Sequence, residues 1–472
     1  MKKFSFRCIC LFLLVSVMIF PVNAVEDEPE LSLSVSAGCH TIDAKLSLIG
    51  SGQIVENATA VILYETNSET LMYDWYIDEK TDPASLVKIM TALLAFENGN
   101  LDDMVLVSAD ALAAVSSTAV SANLQEGEIL TLKDLVYCMM VGSANDAAAV
   151  IAEHIGGSQA GFVTMMNQRA ADIGCTSTNF INAHGLYHRD QYTTARDMVR
   201  ILSAALKNEA FDSVFRTARY TVPKTNLQEE RKLVTSNYLI SQDVMEIYYD
   251  TRVVGGRTGA AEDGTRCIAA LSESNGLQFI SIVFGTKSVF EENTNAIISY
   301  GGFAETIALL DKGFDGYQVC QVLGKNQVLQ QIPVLNGAND VILGTKASAS
   351  AVLPVNITSA DLDFRYIYTN EALQAPLQKD VSVAELQVWY NGLCIAYADV
   401  YTMNAVRIYT PLPPDPVLEE SGSIWPIVLI VVSVIVAFIV AYKLMQRRAR
   451  NKRREKRQRQ AIQNRSPNRR HR

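Results

Sequence analysis

Between Ala60 and Asp399 the chain alternates between two hydrophobic periods, and each change of period marks an element. Ala60-Val61-Ile62-Leu63-Tyr64 and Leu71-Met72-Tyr73 flank the turn-forming Asn67-Ser68-Glu69-Thr70, which predicts two strands around a turn. After Pro83 the period becomes helical. Leu86, Ile89, Met90, Leu93 and Leu94 share one face, so a buried helix is expected from about Ser85 to Glu97. Ser116-Ser117-Thr118 and Leu124-Gln125-Glu126-Gly127-Glu128 read as loop. Thr131 opens a helix over Leu132 to Val141 with Asp134 in its first turn. Ser143-Ala144-Asn145-Asp146 then joins it to a second helix over Ala147 to Ile155. Further helices are expected over Ser158 to Ile173, from Thr194 to Leu206 with Asp197 at capping-box spacing, and through Ala304 to Leu310. Val253 to Gly259 enters a strand, and Cys267 to Leu271 and Leu277 to Gly285 are strands around Ser274-Asn275-Gly276.

From about Gly316 the texture is short β segments between Gly, Asn, Asp and Pro: Val319 to Val322, Val328 to Val334, Val341 to Leu343, Leu362 to Tyr368, Leu386 to Tyr390 and Cys394 to Asp399. This predicts a small all-β domain over 316–410. The two ends differ from everything between them. Residues 1–24 carry Lys2, Lys3 and Arg7, an apolar run from Cys8 to Phe20, and small residues ending at Ala24, the pattern of a cleaved export signal. Residues 25–56 are polar and read as a linker. Residues 411–423 form a Pro-rich spacer. Residues 424–442 are almost wholly apolar, with Trp425 and Tyr442 at the ends, long enough to cross a hydrocarbon core of roughly 30 Å.

Residues 443–472 hold fourteen Lys and Arg against one Glu. Such a run directly after an apolar span places the tail in the cytoplasm and the rest of the chain outside. With three more basic residues in the leader, 24 of the chain's 41 Lys and Arg remain to face 49 acids. The exported part is therefore near −25, which excludes binding to nucleic acid through that part. Its six cysteines (Cys39, Cys138, Cys175, Cys267, Cys320 and Cys394) show no metal spacing. The chain's five histidines are too scattered to make a metal site, so neither metal nor cofactor is expected.

Candidate chemistry begins at the Pro83 helix. Ser85 and Lys88 lie three residues apart and project from one side of the first turn. A hydroxyl in the positive potential of a helix start can lose its proton to an amine one turn on, if desolvation keeps that amine neutral. The bland alternative is an N-cap serine beside a surface lysine. Ser143 and Asn145 are held on a short connection between two buried helices. Capping of the second helix by Asp146 alone explains neither of them.

Ser85-Leu86-Val87-Lys88, Ser143-Ala144-Asn145 and Arg257-Thr258-Gly259, in that order, resemble the signature of penicillin-binding proteins and serine β-lactamases. The wider wording is similar to the D-alanyl-D-alanine carboxypeptidases, the low-molecular-mass penicillin-binding proteins: Pro-Ala-Ser-x-x-Lys-Ile-Met-Thr-Ala from Pro83, Ser-Ala-Asn-Asp-Ala from Ser143 and Asn-x-His-Gly-Leu from Asn182. The resemblance implies an α/β (α+β) penicillin-binding domain over 57–312, an antiparallel sheet flanked by helices, followed by that family's C-terminal β domain. It implies Ser85 as nucleophile, Lys88 as its base and Ser143 as proton relay to the departing D-alanine. Asn145 would hold Lys88 and the substrate amide, Arg257 and Thr258 the terminal carboxylate, and Gly259 would let its strand approach the substrate. The oxyanion hole would use the N–H groups of Ser85 and a residue after Gly259. The implied partners are a peptidoglycan stem peptide, β-lactams as covalent inhibitors, and the membrane through one helix. Two departures stand out: Arg257 replaces the family's Lys, and Ala260-Ala261 replaces a bulky residue and Thr. They leave a second reading open, a catalytically weak wall-binding or sensor protein on the same fold. Asn182, His184 and Asn237 match family positions and are expected to be structural.

Overall fold

The computed structural model describes residues 42–290, 297–370, 372–411 and 424–463; the expected leader, the start of the linker, nearly all of the Pro-rich spacer and the end of the basic tail lie outside them. In chain order the first part contains β1 (Ala60–Glu65), β2 (Thr70–Trp75), α1 (Val87–Asn98), β3 (Met104–Leu106), α2 (Ala109–Ala113), β4 (Ile129–Thr131), α3 (Leu132–Met140), α4 (Asn145–Gly156), α5 (Gln159–Asp172), α6 (Ala195–Leu206) and α7 (Glu209–Phe215). It continues with β5 (Arg219–Val222), β6 (Arg231–Val234), β7 (Val253–Ala260), β8 (Arg266–Ser274), β9 (Leu277–Thr286), β10 (Val289–Phe290), β11 (Ile297–Ser299) and α8 (Phe303–Gly316).

Five of these strands form one antiparallel sheet in the order β2-β1-β9-β8-β7, so β7 is an edge strand. Strand alternation sends side chains to two cores. Ile62, Ala269, Leu271, Ile280 and Ile282 pack with α1, α3, α4 and α6 on one face. Val61, Leu63, Ile268, Ala270, Phe279 and Val283 pack against Leu309, Leu310 and Phe314 of α8 on the other. The expected helix at Pro83 is present, but Val87 to Ala95 are all buried, so α1 is enclosed on every side rather than along one stripe. Thr131 and Thr194 cap α3 and α6 by accepting from Asp134 N and Asp197 N. The Asp197 carboxylate turns away to Ser177 N, Thr178 Oγ1 and Arg200 instead of closing a capping box.

Part of the expected linker is built into the domain. Leu48 N and Ile49 N donate to Leu71 O and Met72 O beside β2, and Val55 is buried. Glycines and serines there mask a segment held by backbone bonds.

α8 leads directly into the β region: β12 (Tyr317–Leu323), β13 (Val328–Ile332), β14 (Val341–Thr345), β15 (Ala349–Pro354), β16 (Asp363–Tyr368), β17 (Ser382–Tyr390) and β18 (Leu393–Thr402). β13-β14-β18-β17-β16 make one antiparallel sheet, β12 pairs with β15, and together they enclose a core of their own. A separate unit begins at Tyr409 and contains α9 (Trp425–Gln463), whose first part is long and apolar enough to cross a membrane.

Candidate active site

Ser85 sits in a 3-10 turn, Ala84–Leu86, that precedes α1. Leu86 N donates to Pro83 O and Ala84 N to Asp82 Oδ1, both at 3.0 Å. Ala84 has φ 44°, a left-handed conformation that costs an alanine energy and is held here by its surroundings. One turn on, Lys88 is fully buried. Its Nζ lies 3.1 Å from Ser85 Oγ and 2.8 Å from Asn145 Oδ1, and also meets the His184 carbonyl. A neutral amine has two N–H groups and one lone pair. Two donations to Asn145 and His184 leave the lone pair for the Ser85 hydroxyl proton. Desolvation first, and the nearby Arg257 cation second, hold the Lys88 pKa well below the ordinary lysine value.

Asn145 is the first residue of α4, and the cap position belongs to Ala144, which offers no side-chain bond. Asp146 is not the cap. Its carboxylate takes Ser121 Oγ, Ala122 N and Leu124 N, fixing the loop that passes over the cleft. Asn145 Nδ2 donates to Val120 O at 2.9 Å, which turns its Oδ1 toward Lys88. Ser143, at φ 60°, stands at the rim and accepts from Arg257 Nη2.

Arg257 is 1% exposed. Besides Ser143 it donates to Met140 O at 3.0 Å, so its guanidinium lies beneath the cleft floor and meets neither Glu262 nor Asp263. Burial pulls its pKa down to about 10, which leaves it cationic at neutral pH. Thr258 Oγ1 and Ser236 Oγ are 2.6 Å apart on the cleft wall. At Gly259 a Cβ would stand 2.9 Å from Ser85 N and 2.7 Å from Cys267 Sγ, so only glycine brings β7 this close to the nucleophile.

The seven residues expected from the sequence therefore gather around one cleft of about 540 Å³, five lining it and Lys88 and Arg257 supporting it from below. The sequence reading missed the His184 carbonyl, because a backbone atom leaves no residue-type signal. The loop that presents it is tightly specified. Asn182 Oδ1 accepts from Gly185 N (2.6 Å), Asn182 Nδ2 donates to Leu186 O (2.8 Å), and Thr91 Oγ1 of α1 donates to Ala183 O (2.6 Å). The His184 ring accepts from Leu186 N, and burial followed by the Lys88 charge lowers its pKa to about 4, so it stays neutral. Gly185 has φ 82°, and a Cβ there would stand 1.9 Å from Ala84 O. Gly185→Ala is expected to displace the turn at Ser85 and lower the rate of acylation by penicillin about 10²-fold with helix content unchanged by circular dichroism.

A serine hydroxyl on a buried, partnered lysine, with a second serine and an edge strand across the cleft, is the arrangement of a penicillin-binding serine hydrolase. Residues 51–288 match the D-alanyl-D-alanine carboxypeptidase family, and residues 317–407 match the C-terminal domain of penicillin-binding protein 5. The chain belongs to the D-alanyl-D-alanine carboxypeptidase family. It is 26% identical to the D-alanyl-D-alanine carboxypeptidase DacF of Bacillus subtilis, over 74% of this chain and 86% of that one. It is 27% identical to DacA of Haemophilus influenzae, over 80% and 92%. Penicillin-binding protein 5 from Haemophilus influenzae superposes with a TM-score of 0.57 at 26% identity, over 74% of this chain and 98% of that one. The carboxypeptidase DacD from Francisella tularensis shares the fold, with a TM-score of 0.58 at 22% identity, over 78% and 98%.

Proposed function

We propose that the protein removes the terminal D-alanine from peptidoglycan pentapeptides through a Ser85 acyl-enzyme. The observation that carries this is Lys88 Nζ, fully desolvated and 3.1 Å from Ser85 Oγ, with Asn145 and His184 taking its two N–H groups. Ser85 Oγ attacks the carbonyl between the two D-alanines as Lys88 takes its proton. The N–H groups of Ser85 and Ala260 stabilise the oxyanion. Ser143 passes a proton to the amine of the leaving D-alanine, and water then releases the shortened stem. The free edge of β7 pairs with the substrate backbone, as an edge strand accepts an added strand. Penicillins acylate the same serine. The test is incubation with a synthetic peptide ending in D-Ala-D-Ala. Loss of a single D-alanine is expected; stable penicillin binding with no release would instead favour the weak wall-binding or sensor reading.

Arg257, in this account, orients Ser143 and lends positive potential to the carboxylate from below. Arg257→Ala is expected to lower acylation by roughly 10- to 100-fold and to cost about 1–3 kcal/mol of stability, because Met140 O and Ser143 lose a buried charged donor. Arg257→Lys retains a cation and is expected to keep most of the activity. Stopped-flow acylation and thermal unfolding check both.

The apolar start of α9 supports a single-pass anchor. The basic residues after Tyr442 support an exported catalytic part and a cytoplasmic tail.

A further inference from the structure

Six cysteines lie between the expected leader and the apolar end of the chain, and the structure sorts them into two kinds. Cys138, Cys175, Cys267 and Cys320 are free thiols. Burial pushes Cys138, Cys175 and Cys267 up to about 12 and raises Cys320 as well, so all four stay protonated at neutral pH. The thiolate is the species that exchanges, which keeps these four out of disulfide chemistry. Cys394, the second residue of β18, is disulfide-bonded. Its partner is none of those four. Cys8 and Cys10 fall within the expected leader, and the cysteine that remains is Cys39, three positions ahead of Ile42, where the described chain begins.

The path of the chain leads both cysteines toward one place. From Ile42 onward the segment is tied to the catalytic domain: Ile42 O and Ala44 O accept from Arg196 of α6, and Leu48 N and Ile49 N bond beside β2. At Leu48 it meets the β domain, because Tyr317 Oη, from the first residue of β12, donates to Leu48 O at 3.5 Å. Cys394 sits at the end of the β17–β18 hairpin, just past the Asn391-Gly392 turn. Burial first, and Tyr390 across that turn second, raise the Tyr317 phenol, so the hairpin end lies near Tyr317. Leu48, Ile49, Tyr317, Val319 and Val352 share one core with the catalytic sheet. Nine residues separate Cys39 from Leu48, a reach of roughly 30 Å when extended.

We propose that Cys39 and Cys394 form an intramolecular disulfide that clamps the segment ahead of the catalytic domain to the β domain. The thiolate of one attacks the disulfide of an extracytoplasmic thiol–disulfide oxidoreductase, giving a mixed disulfide, and the thiolate of the other displaces the donor's sulfur. The two cysteines lose two protons and two electrons, and the donor leaves as a dithiol. The bond closes a loop around the whole catalytic domain and restrains the unfolded chain accordingly. Neither cysteine lines the cleft, so the clamp acts on stability rather than on acylation. It persists outside the reducing cytoplasm, where the export reading puts this part of the chain.

The test is thiol counting and peptide mapping on the mature full-length chain, unfolded in guanidinium with a maleimide and no reductant. Four maleimides per chain are expected, and six after reduction. Digestion should yield the Cys39 and Cys394 peptides joined, from protein that runs as one chain on a non-reducing gel. Cys39→Ser should release a fifth thiol at Cys394 and lower the thermal midpoint by several degrees, as reduction does to the wild type. It should leave the rate of penicillin labelling within about twofold, and dithiothreitol should not shift its midpoint further. Peptides joined between two chains, Cys394 joined to another cysteine, or four thiols still counted in Cys39→Ser overturns the pairing. If both thiols are free in protein taken from cells, the reduced chain is reoxidised with glutathione disulfide. Formation of the Cys39–Cys394 bond then keeps the pairing and overturns the export reading, whereas its failure to form overturns the pairing.

Discussion

Ser85→Ala is expected to abolish D-alanine release and covalent penicillin labelling together, with turnover down on the order of 10⁴- to 10⁶-fold. The fold should survive, because among the described residues the Ser85 side chain holds no structural bond other than that to Lys88. The 3-10 turn is kept by Leu86 N to Pro83 O and by Ala84 N to Asp82, both independent of the hydroxyl. Coincident thermal unfolding of variant and wild type, with no label in the variant, is the expected pair of results. Residual label in Ser85→Ala would assign the nucleophile elsewhere.

Lys88→Met is the second large effect, with acylation lowered about 10³- to 10⁴-fold. The methionine fills the volume but accepts no proton, and it leaves Asn145 Oδ1 and the His184 carbonyl without their donor. The pH dependence gives a sharper reading. Burial lowers the Lys88 pKa and so favours the neutral amine, and wild-type acylation should rise with pH through the depressed pKa and then level off. His184, lowered to about 4 by burial and then by Lys88, is itself neutral at neutral pH. Stability follows the same sign. Between the depressed folded pKa and the unfolded value of about 10.4 the unfolded chain binds the extra proton, so stability should increase with pH across that window. Lys88→Met should flatten both the acylation limb and that stability slope. Retention of the acylation limb in the variant would assign it to a different group.

Much of this site is legible in the sequence through the resemblance of three ordered motifs to a known signature, with spacing placing the residues within each motif. Ser85 and Lys88 share a turn, Asn145 follows Ser143 by two, and Gly259 marks where only a hydrogen atom fits against Ser85 N. What is hidden depends on distant backbone. The His184 carbonyl comes from 96 positions beyond Lys88. The depth of Arg257 follows from Met140 O, 117 residues away, which nothing in the local sequence marks. The same limit holds in the fold. α1 announces itself through its apolar residues, yet its burial on all sides requires α3, α4 and α6 to be in place. The short α2, α7 and the β3–β4 pair escape periodicity because none has enough residues to display one.

The most direct test of the central claim is mass analysis of the acyl-enzyme trapped by rapid acid quench during turnover of a synthetic pentapeptide. The account predicts an adduct equal to the substrate acyl group without its last D-alanine, carried on the peptide that contains Ser85. D-alanine release with the adduct on any other residue, or with no adduct under conditions that trap the penicillin ester, would contradict it.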